Sequence, residues 1–484
     1  MDTFNEYLEL WANRRSESLA LADAELELTY GQLLFKVREL QGYLYGLGLR
    51  EGDIAGISSP RSVSLVLLYL AALGLGVSVV PLPEQGEAGQ IRKILDLIPM
   101  NIVIRYEGYA DPDNRQYSIA RISRAARDCG EETCGVFIPY QLEGSCSGFV
   151  SHVNEAHAVY YNLTSGSTGD VKAVRTGSRE LIRNALLVNE RLPLENGDCY
   201  CCLFATDMHP HELFTRPIIF GACGLVLANH DLRGFGRHMR HRQITHLLAT
   251  PHTLSNLLKL CPAEEDWQSI RYLLGTGEHV PYNLREGFYN RIGKKLISVW
   301  GCTEASGIVL VMPEDMFLEQ ESILGLPVPG YELQIEPDSG ELLIRGECVM
   351  KGYWSWAGRQ PVDLNGYYHT GDTVMRNSEG VFIFTGRADS FIKAGGRRVS
   401  LHALEQELRN IDGIGEVAAV YSDTSHTVGI FYSEGVHRRQ LYPEILRFLN
   451  QALPFTKFRV LGCSELPKLT SGKVNKKTLM AKLH

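Results

Sequence analysis

The stretch "YYNLTSGSTGDVKAV", Tyr160 to Val174, sets Thr164, Ser165, Ser167 and Thr168 around Gly166 and Gly169 and places Lys172 just beyond. Glycines let backbone N–H groups converge on one point and hydroxyls add donors, so the natural guest is a polyanion such as a triphosphate. Lys172 adds a point charge. An apolar run, "HAVYYNL", precedes the loop, and a helical pattern, "SRELIRNALLVNERL", follows it, with Ser178 the expected N-cap and Glu180 in the first turn. A flexible linker has a similar composition, but this loop is short and lies between two structured patterns. It is not a Walker loop, because Val171 rather than glycine precedes Lys172, which disfavours P-loop kinases and ATPases.

On either side of the loop, helical patterns alternate with short apolar strands. "YGQLLFKVRELQGYLYGLG", "DIAGIS" and "NIVIRY" precede it, and "CGLVLA", "ITHLLAT", "IRYLLGTG" and "KKLISVWG" come after. This alternation implies βαβ units and an α/β fold class. Val63 to Val80, "VSLVLLYLAALGLGVSVV", is nearly long enough to span a bilayer. Its Gly74-Leu75-Gly76 break instead divides it into a buried helix and a β-branched strand, and no membrane span is expected. From about residue 325 to 386 the texture becomes β-rich, with "GYELQIE", "GELLIRG" and "GVFIFTGR" separated by turns. We therefore expect a large N-terminal domain, residues 1–386, of layered α/β subdomains plus this β-rich subdomain. Residues 387–484, with "LHALEQELRNIDGIGEVAAVYS" and "LYPEILRFLNQALP", form a small α+β C-terminal domain.

With 44% hydrophobic and 21% charged residues, the 484-residue chain can bury large cores. A net charge of −8 argues against nucleic acid as a partner, since backbone binding needs a dense cationic surface. The eleven cysteines are scattered. Cys199, Cys201 and Cys202 lie in an apolar run without a second ligand pair, so they read as buried thiols in a reducing, cytoplasmic setting rather than as a zinc site. The N-terminus carries no basic start or apolar signal core.

Further motifs follow the loop in a fixed order: "VWGCTEASG" from Val299, "GELLIRGECVMKGYW" from Gly340, "HTGDT" from His369, "GRADSFIKAGGRRV" from Gly386 and "LPKLTSGKVNKK" from Leu466. Together these motifs resemble those of the AMP-forming adenylating enzymes: acyl-CoA synthetases, nonribosomal peptide adenylation domains and luciferase. The resemblance, which is closest to a stand-alone adenylation enzyme, spans nearly the whole chain. It implies ATP and Mg²⁺ as cofactors, with Thr164, Ser165, Gly166, Ser167, Thr168, Gly169 and Lys172 around the phosphates. By the same resemblance Trp300 lies against adenine, Thr303 donates to the α-phosphate and Glu304 helps hold Mg²⁺. Asp372 binds the ribose, and Arg387 reaches ribose and phosphate. Each residue type suits its role: an indole offers a large apolar face, Mg²⁺ favours carboxylate oxygens, and one carboxylate accepts from two sugar hydroxyls.

The resemblance also implies two half-reactions. Lys473 is the catalytic lysine that bridges attacking carboxylate and α-phosphate, lowering the cost of bringing two anions together. Lys476 stands where the family usually has arginine. The small domain then rotates about Asp389, bringing the segment around Gly396 to a phosphopantetheine tunnel where close backbone approach makes room. "TDMHPHELF" aligns with the amino-acid-binding segment of nonribosomal adenylation domains, in which Asp207 would meet an ammonium group. A buried carboxylate of this kind needs a cationic partner. His211, in the same segment, is atypical of that pattern but is carried over as a substrate position, and the other aligned pocket positions, Ala249, Leu274, Thr276, Val299, Gly307 and Ile308, suggest a modest, mainly hydrophobic side chain. Two acceptors stay open: the phosphopantetheine of a separate carrier protein, as in nonribosomal peptide biosynthesis, or free CoA bound at a basic patch of Arg175, His238, Arg240, His241 and Arg242. A non-catalytic nucleotide-binding regulator and an adenylate-oxidising enzyme are the remaining alternatives.

Overall fold

The computed structural model describes residues 1–83, 88–111, 114–121, 133–139, 158–165, 171–204, 209–228, 232, 234–261, 263–319, 322–350, 352–354, 362–388, 391–394, 397–422, 424–434, 441–453, 456–468 and 474–483. By their contacts the residues fall into two compact units. One comprises Met1–Glu321, Pro327–Tyr331 and Arg345–Tyr368, the other Ser322–Leu326, Glu332–Ile344 and His369–His484. Most of the β-rich stretch thus groups with the C-terminal residues.

The first unit holds two sheets. In the first, the order is Thr133–Pro139, Asn114–Arg121, Ile102–Asp111, Ile54–Ser58, Ser78–Pro81, Val159–Ser165, Val171–Gly177. Its inner strands are parallel, as expected for βαβ crossovers, and its outer ones antiparallel. The ambiguous apolar run resolves into helix Val63–Gly74, buried along its whole length, and strand Ser78–Pro81. A helix apolar all round can only be a core helix or a membrane span. Among the described residues no helix is long and apolar enough to cross a membrane. The second sheet runs Gly307–Val311, Leu296–Cys302, Tyr272–Gly275, His246–Ala249, Cys199–Cys202, Cys223–Leu225, Leu19–Ala22, Glu27–Thr29, parallel except at its two ends. Its largest core cluster joins Cys199, Cys201, Leu247, Ala249, Leu273, Trp267 and Phe288.

The opening loop differs from its expectation in one respect. Strand Val171–Gly177, which pairs antiparallel with Val159–Ser165, comes between the loop and helix Ser178–Val188. Val171, Val174 and Thr176 give this segment strand propensity that the neighbouring glycines mask. The helix N-cap is Gly177 rather than Ser178, and the Glu180 carboxylate accepts the Gly177 N–H at 2.9 Å. A Cβ at residue 177 would stand 2.5 Å from Glu180 Oε2.

In the second unit, strands order as Tyr331–Ile335, Glu341–Gly346, Tyr368–Arg376, Phe382–Arg387, Ile323–Pro327. A separate three-stranded sheet of Ile414–Ser422, Thr427–Glu434 and Lys457–Cys463 packs against helices Leu401–Arg409 and Leu441–Ala452. Its two core clusters draw only on residues from Ile392 onward.

His246 is wholly buried in the second sheet, and its Nε2 donates to the Pro193 carbonyl at 3.0 Å. Its pKa is pushed down to about 3, first by burial and then by the positive charge of Arg216. A histidine depressed in the fold contributes stability that is complete above its unfolded pKa of about 6.5 and is lost as pH falls. Between about pH 7.5 and about pH 5.5, wild-type protein should lose about 1.4 kcal/mol more stability than His246→Asn in urea titrations. Equal losses would show that His246 protonates as readily in the fold as in the unfolded chain.

Candidate active site

In the first unit the candidate residues gather at the end of strand Leu296–Cys302. The chain there enters a single 3₁₀ turn, Thr303–Ala305, and reverses into strand Gly307–Val311. Ser306 and Gly307 adopt positive φ, 61° and 142°. A Cβ on Gly301 would lie 2.1 Å from the Gly307 carbonyl oxygen, and one on Gly307 would lie 2.5 Å from Asn184 Oδ1. Glycine is thus required on both sides of the reversal.

Side chains far away in sequence hold this turn. Asn184 Nδ2 donates to the Ile308 carbonyl at 2.9 Å and to Tyr331 Oη at 2.7 Å, and that phenol donates to the Ala305 carbonyl at 2.7 Å. Ser306 Oγ donates to Cys348 O at 2.6 Å, and Met350 N–H to Glu304 O at 2.7 Å. Thr303 and Glu304 are consequently buried and fixed. Thr303 Oγ1 lies 3.2 Å from His209 Nε2, and Glu304 Oε1 accepts the Tyr353 phenol at 2.8 Å. That phenol is the carboxylate's one hydrogen-bond donor among the described residues. Trp300 is half-buried, paired in register with Leu310.

Thr164 and Lys172 are cross-strand partners at the mouth of the hairpin, with Ser165 opposite Val171. The far edge of strand Val171–Gly177 pairs with the segment Gly352–Trp354. Arg175 N–H donates to Gly352 O at 3.1 Å and Trp354 N–H to Ala173 O at 2.8 Å. This pairing sets Lys172 Nζ 5.3 Å from the centroid of the Tyr353 ring. The sequence reading passed over Tyr353, Asn184 and Tyr331. The only visible signal was Tyr353's place inside "VMKGYW".

In the second unit, Asp372 and Arg387 face each other on adjacent strands, with Arg387 Nη1 donating to Asp372 Oδ1 at 2.7 Å. Asp372 N–H is held by Thr370 Oγ1 at 3.0 Å, and Gly371 N–H by Glu341 Oε1 at 2.7 Å. Gly166, Ser167, Thr168, Gly169, Asp207, Asp389, Gly396 and Lys473 lie outside the described residues.

The expected pocket positions do not all meet. His211 and Ile308 line one small cavity with Asn184, Glu212, Thr215 and Arg216, with room for about one water molecule. His211 is buried, and neither ring nitrogen has a hydrogen-bond partner among the described residues. Burial, and then neighbouring His209, hold its pKa well below the usual range. Burial raises that of Glu212, partly offset by Arg216 and by the Tyr200 phenol, which donates at 3.1 Å. Ala249 packs in the core cluster with Leu247 and Leu273. Leu274 is in register with Leu248, one step along the pleat, and so faces the opposite side of the sheet. Val299 is buried, and Thr276 is tied by its backbone to Ala249 O at 3.2 Å.

Neighbours already occupy two of the basic-patch arginines: Arg240 pairs with Asp266 and Arg242 with Glu27. Burial raises the Cys201 thiol to about 12, and among the described residues no cluster of three His, Cys, Asp or Glu side chains could hold a metal.

The family model for AMP-binding enzymes matches residues 8–354. The chain belongs to that family. This AMP-binding enzyme is 27% identical over 428 residues to the L-proline (L-prolyl-carrier protein) ligase of Streptomyces coelicolor, covering 81% of this chain and 79% of the relative. It is 23% identical to a 2-succinylbenzoate–CoA ligase of Bacillus cereus, covering 99% of this chain and 98% of the relative. In fold it resembles the o-succinylbenzoate coenzyme A synthetase of Bacillus subtilis solved with ATP and magnesium ion, at a TM-score of 0.78 and 18% identity, covering 98% of each chain.

The glycine requirement in this AMP-binding enzyme is open to test. Gly301→Ala should cost about 2 kcal/mol or more of stability, because its Cβ meets backbone rather than a side chain that can rotate away. Chemical denaturation of the variant checks this; a midpoint within error of wild type would mean the reversal relaxes freely.

Proposed function

We propose that this enzyme activates a small carboxylic acid, an amino acid or a close analogue, as its acyl-AMP with release of pyrophosphate, and transfers the acyl group to the phosphopantetheine thiol of a separate carrier protein. The reaction class, AMP-forming acid–thiol ligation, follows from family membership and the ligase relatives. The observation that carries the nucleotide half is the buried Thr303–Glu304 turn, in which Tyr353 holds one carboxylate oxygen, the one hydrogen bond of that carboxylate among the described residues. A carboxylate beside a hydroxyl is a donor set suited to Mg²⁺, which binds through one or two carboxylates together with substrate phosphates. When bound, the ion would neutralise charge on the phosphates.

The roles assigned to this chain's own groups follow from their chemistry. Lys172 and the Ser165–Gly169 loop hold the outer phosphates, Thr303 donates to the α-phosphate, and Trp300 offers its face to adenine. Asp372 accepts from the ribose hydroxyls, oriented by Arg387. Lys473 accompanies the attacking carboxylate during adenylate formation. Residues 387–484 then rotate about Asp389 and take Lys473 away, so that the segment at Gly396 admits the thiol. The separate cores from Ile392 onward support a C-terminal part able to move as a body.

Asp207 would bind the substrate's ammonium group, and His211 with Ile308 would meet its side chain. A carrier protein is favoured over free CoA because Arg240 and Arg242 already have acidic partners. The prolyl-carrier-protein ligase relative supports the same acceptor. The CoA ligase relative keeps free CoA as the alternative.

Acid-dependent pyrophosphate exchange tests the reading. Amino acids should support exchange, and Asp207→Ala should abolish it selectively for them; preference for a plain fatty acid would overturn the substrate assignment. Lys473→Ala should lower exchange by at least about a hundredfold while thiol transfer from supplied acyl-adenylate persists, since only the first step brings two anions together. Equal loss of both half-reactions would count against a lysine that serves one of them.

A further inference from the structure

We propose that Tyr353 is a positioning residue of the nucleotide site, its phenol holding one oxygen of Glu304 so that a single oxygen is presented to magnesium, and its ring carrying Lys172. This inference rests on the nucleotide half of the proposed function and adds a residue to it. Tyr353 is itself fixed at three points: Gly352 and Trp354 on either side pair with strand Val171–Gly177, and Tyr353 bridges to Val174. Trp354 Nε1 further donates to the Leu97 carbonyl at 3.0 Å. The ring therefore cannot drift, and the two groups it touches, at 2.8 Å and 5.3 Å, come from segments about 130 residues apart in the chain (304 − 172 = 132).

The phenol is suited to this position. A phenol, with an ordinary pKa of about 10, is protonated at neutral pH, and this one donates to Glu304 Oε1. Its oxygen in turn accepts a hydrogen bond from buried Tyr368, whose own pKa is raised by burial and by Glu304. The chain Tyr368, Tyr353, Glu304 thus ends on one carboxylate oxygen. Magnesium demands near-ideal octahedral geometry. A carboxylate free to rotate, or to offer both oxygens, fits that poorly, whereas one pinned oxygen leaves a single ligand of fixed direction. Partners of metal-ligating carboxylates typically change metal affinity by about ten- to a hundredfold when lost. The ring's second role is electrostatic: a lysine ammonium within about 6 Å of an aromatic centroid is attracted to its face, which directs Lys172 without neutralising it.

The two roles separate by substitution. Tyr353→Phe keeps the ring and removes the phenol; Tyr353→Leu removes both. ATP binding is measured by calorimetry without any acid substrate, once with Mg²⁺ and once with EDTA, on full-length protein, with denaturation midpoints confirming that each variant is folded. Wild type should bind ATP more tightly with Mg²⁺ than with EDTA. Tyr353→Phe should lose about ten- to a hundredfold of affinity with Mg²⁺ and none with EDTA. Tyr353→Leu should weaken binding in both. The inference is overturned if Tyr353→Phe keeps the full gain from Mg²⁺, or if it weakens binding equally with and without the ion, as general disorder of the turn would. Wild-type protein that binds no ATP in either buffer would overturn the nucleotide reading itself, and the inference with it.

Discussion

Under the proposed function the Glu304 carboxylate must leave bulk water without meeting a cation of the protein, and its one hydrogen bond among the described residues comes from a neutral donor, the Tyr353 phenol. A lysine or arginine in place of Tyr353 would hold the carboxylate more tightly but would cancel the charge. A phenol contributes a hydrogen bond to an ionised group, about 1.5–3 kcal/mol, and cancels nothing. The rest of the turn serves the same end. Met350 fixes the Glu304 carbonyl, Tyr331 that of Ala305, and Ser306 reaches the carbonyl of Cys348. Few polar groups of this turn are left to water, so the carboxylate stands on a scaffold that other hydrogen bonds have already fixed.

That scaffold depends on backbone approach that side chains would forbid. The reversal between Gly301 and Gly307 brings two backbones to within 2.1 Å of where a Cβ would stand, and Asn184 fills the space beside Gly307 with a polar group that also bonds Ile308 and Tyr331. Compact turn, buried carboxylate and lateral hydrogen bonds therefore form one unit. The same economy appears in the second unit, where Gly371 lies against Arg387 and leaves the guanidinium room to meet Asp372 across the strands.

Local pattern made the alternating strands and helices legible, including the division of the apolar run at Gly74 into helix and strand, because burial on a sheet or helix imposes its period on neighbouring residues. Thr303, Glu304, Asp372 and Arg387 stood out only through the resemblance of their motifs to those of a known family. What local pattern missed was long-range. Tyr353 and Glu304 stand 49 residues apart, Asn184 and Tyr331 147, and no periodicity links residues at such separations. Strand Val171–Gly177 escaped notice because glycines flank it and a stronger helical pattern follows at once. Sheet register is equally invisible to alignment: Ala249 and Leu274 lie one step apart in paired strands and so point to opposite faces of the sheet.

The cavity beside the turn carries a related lesson about charge. Burial moves both of its titratable neighbours toward neutrality, lowering the His211 pKa and raising that of Glu212. The positive charge there rests with Arg216, which is buried with its Nε and Nη1 hydrogens unmatched among the described residues while its Nη2 donates to Leu192 O. A wall built of unmatched donors and a neutral imidazole discriminates mainly by hydrogen bonds that are made or lost. Such a wall rejects a group that leaves buried polar atoms unpaired more strongly than it rejects one extra methylene. At His211 the cavity wall is thus polar, unlike the small or apolar residues at the other aligned positions, from which a mainly hydrophobic side chain is expected.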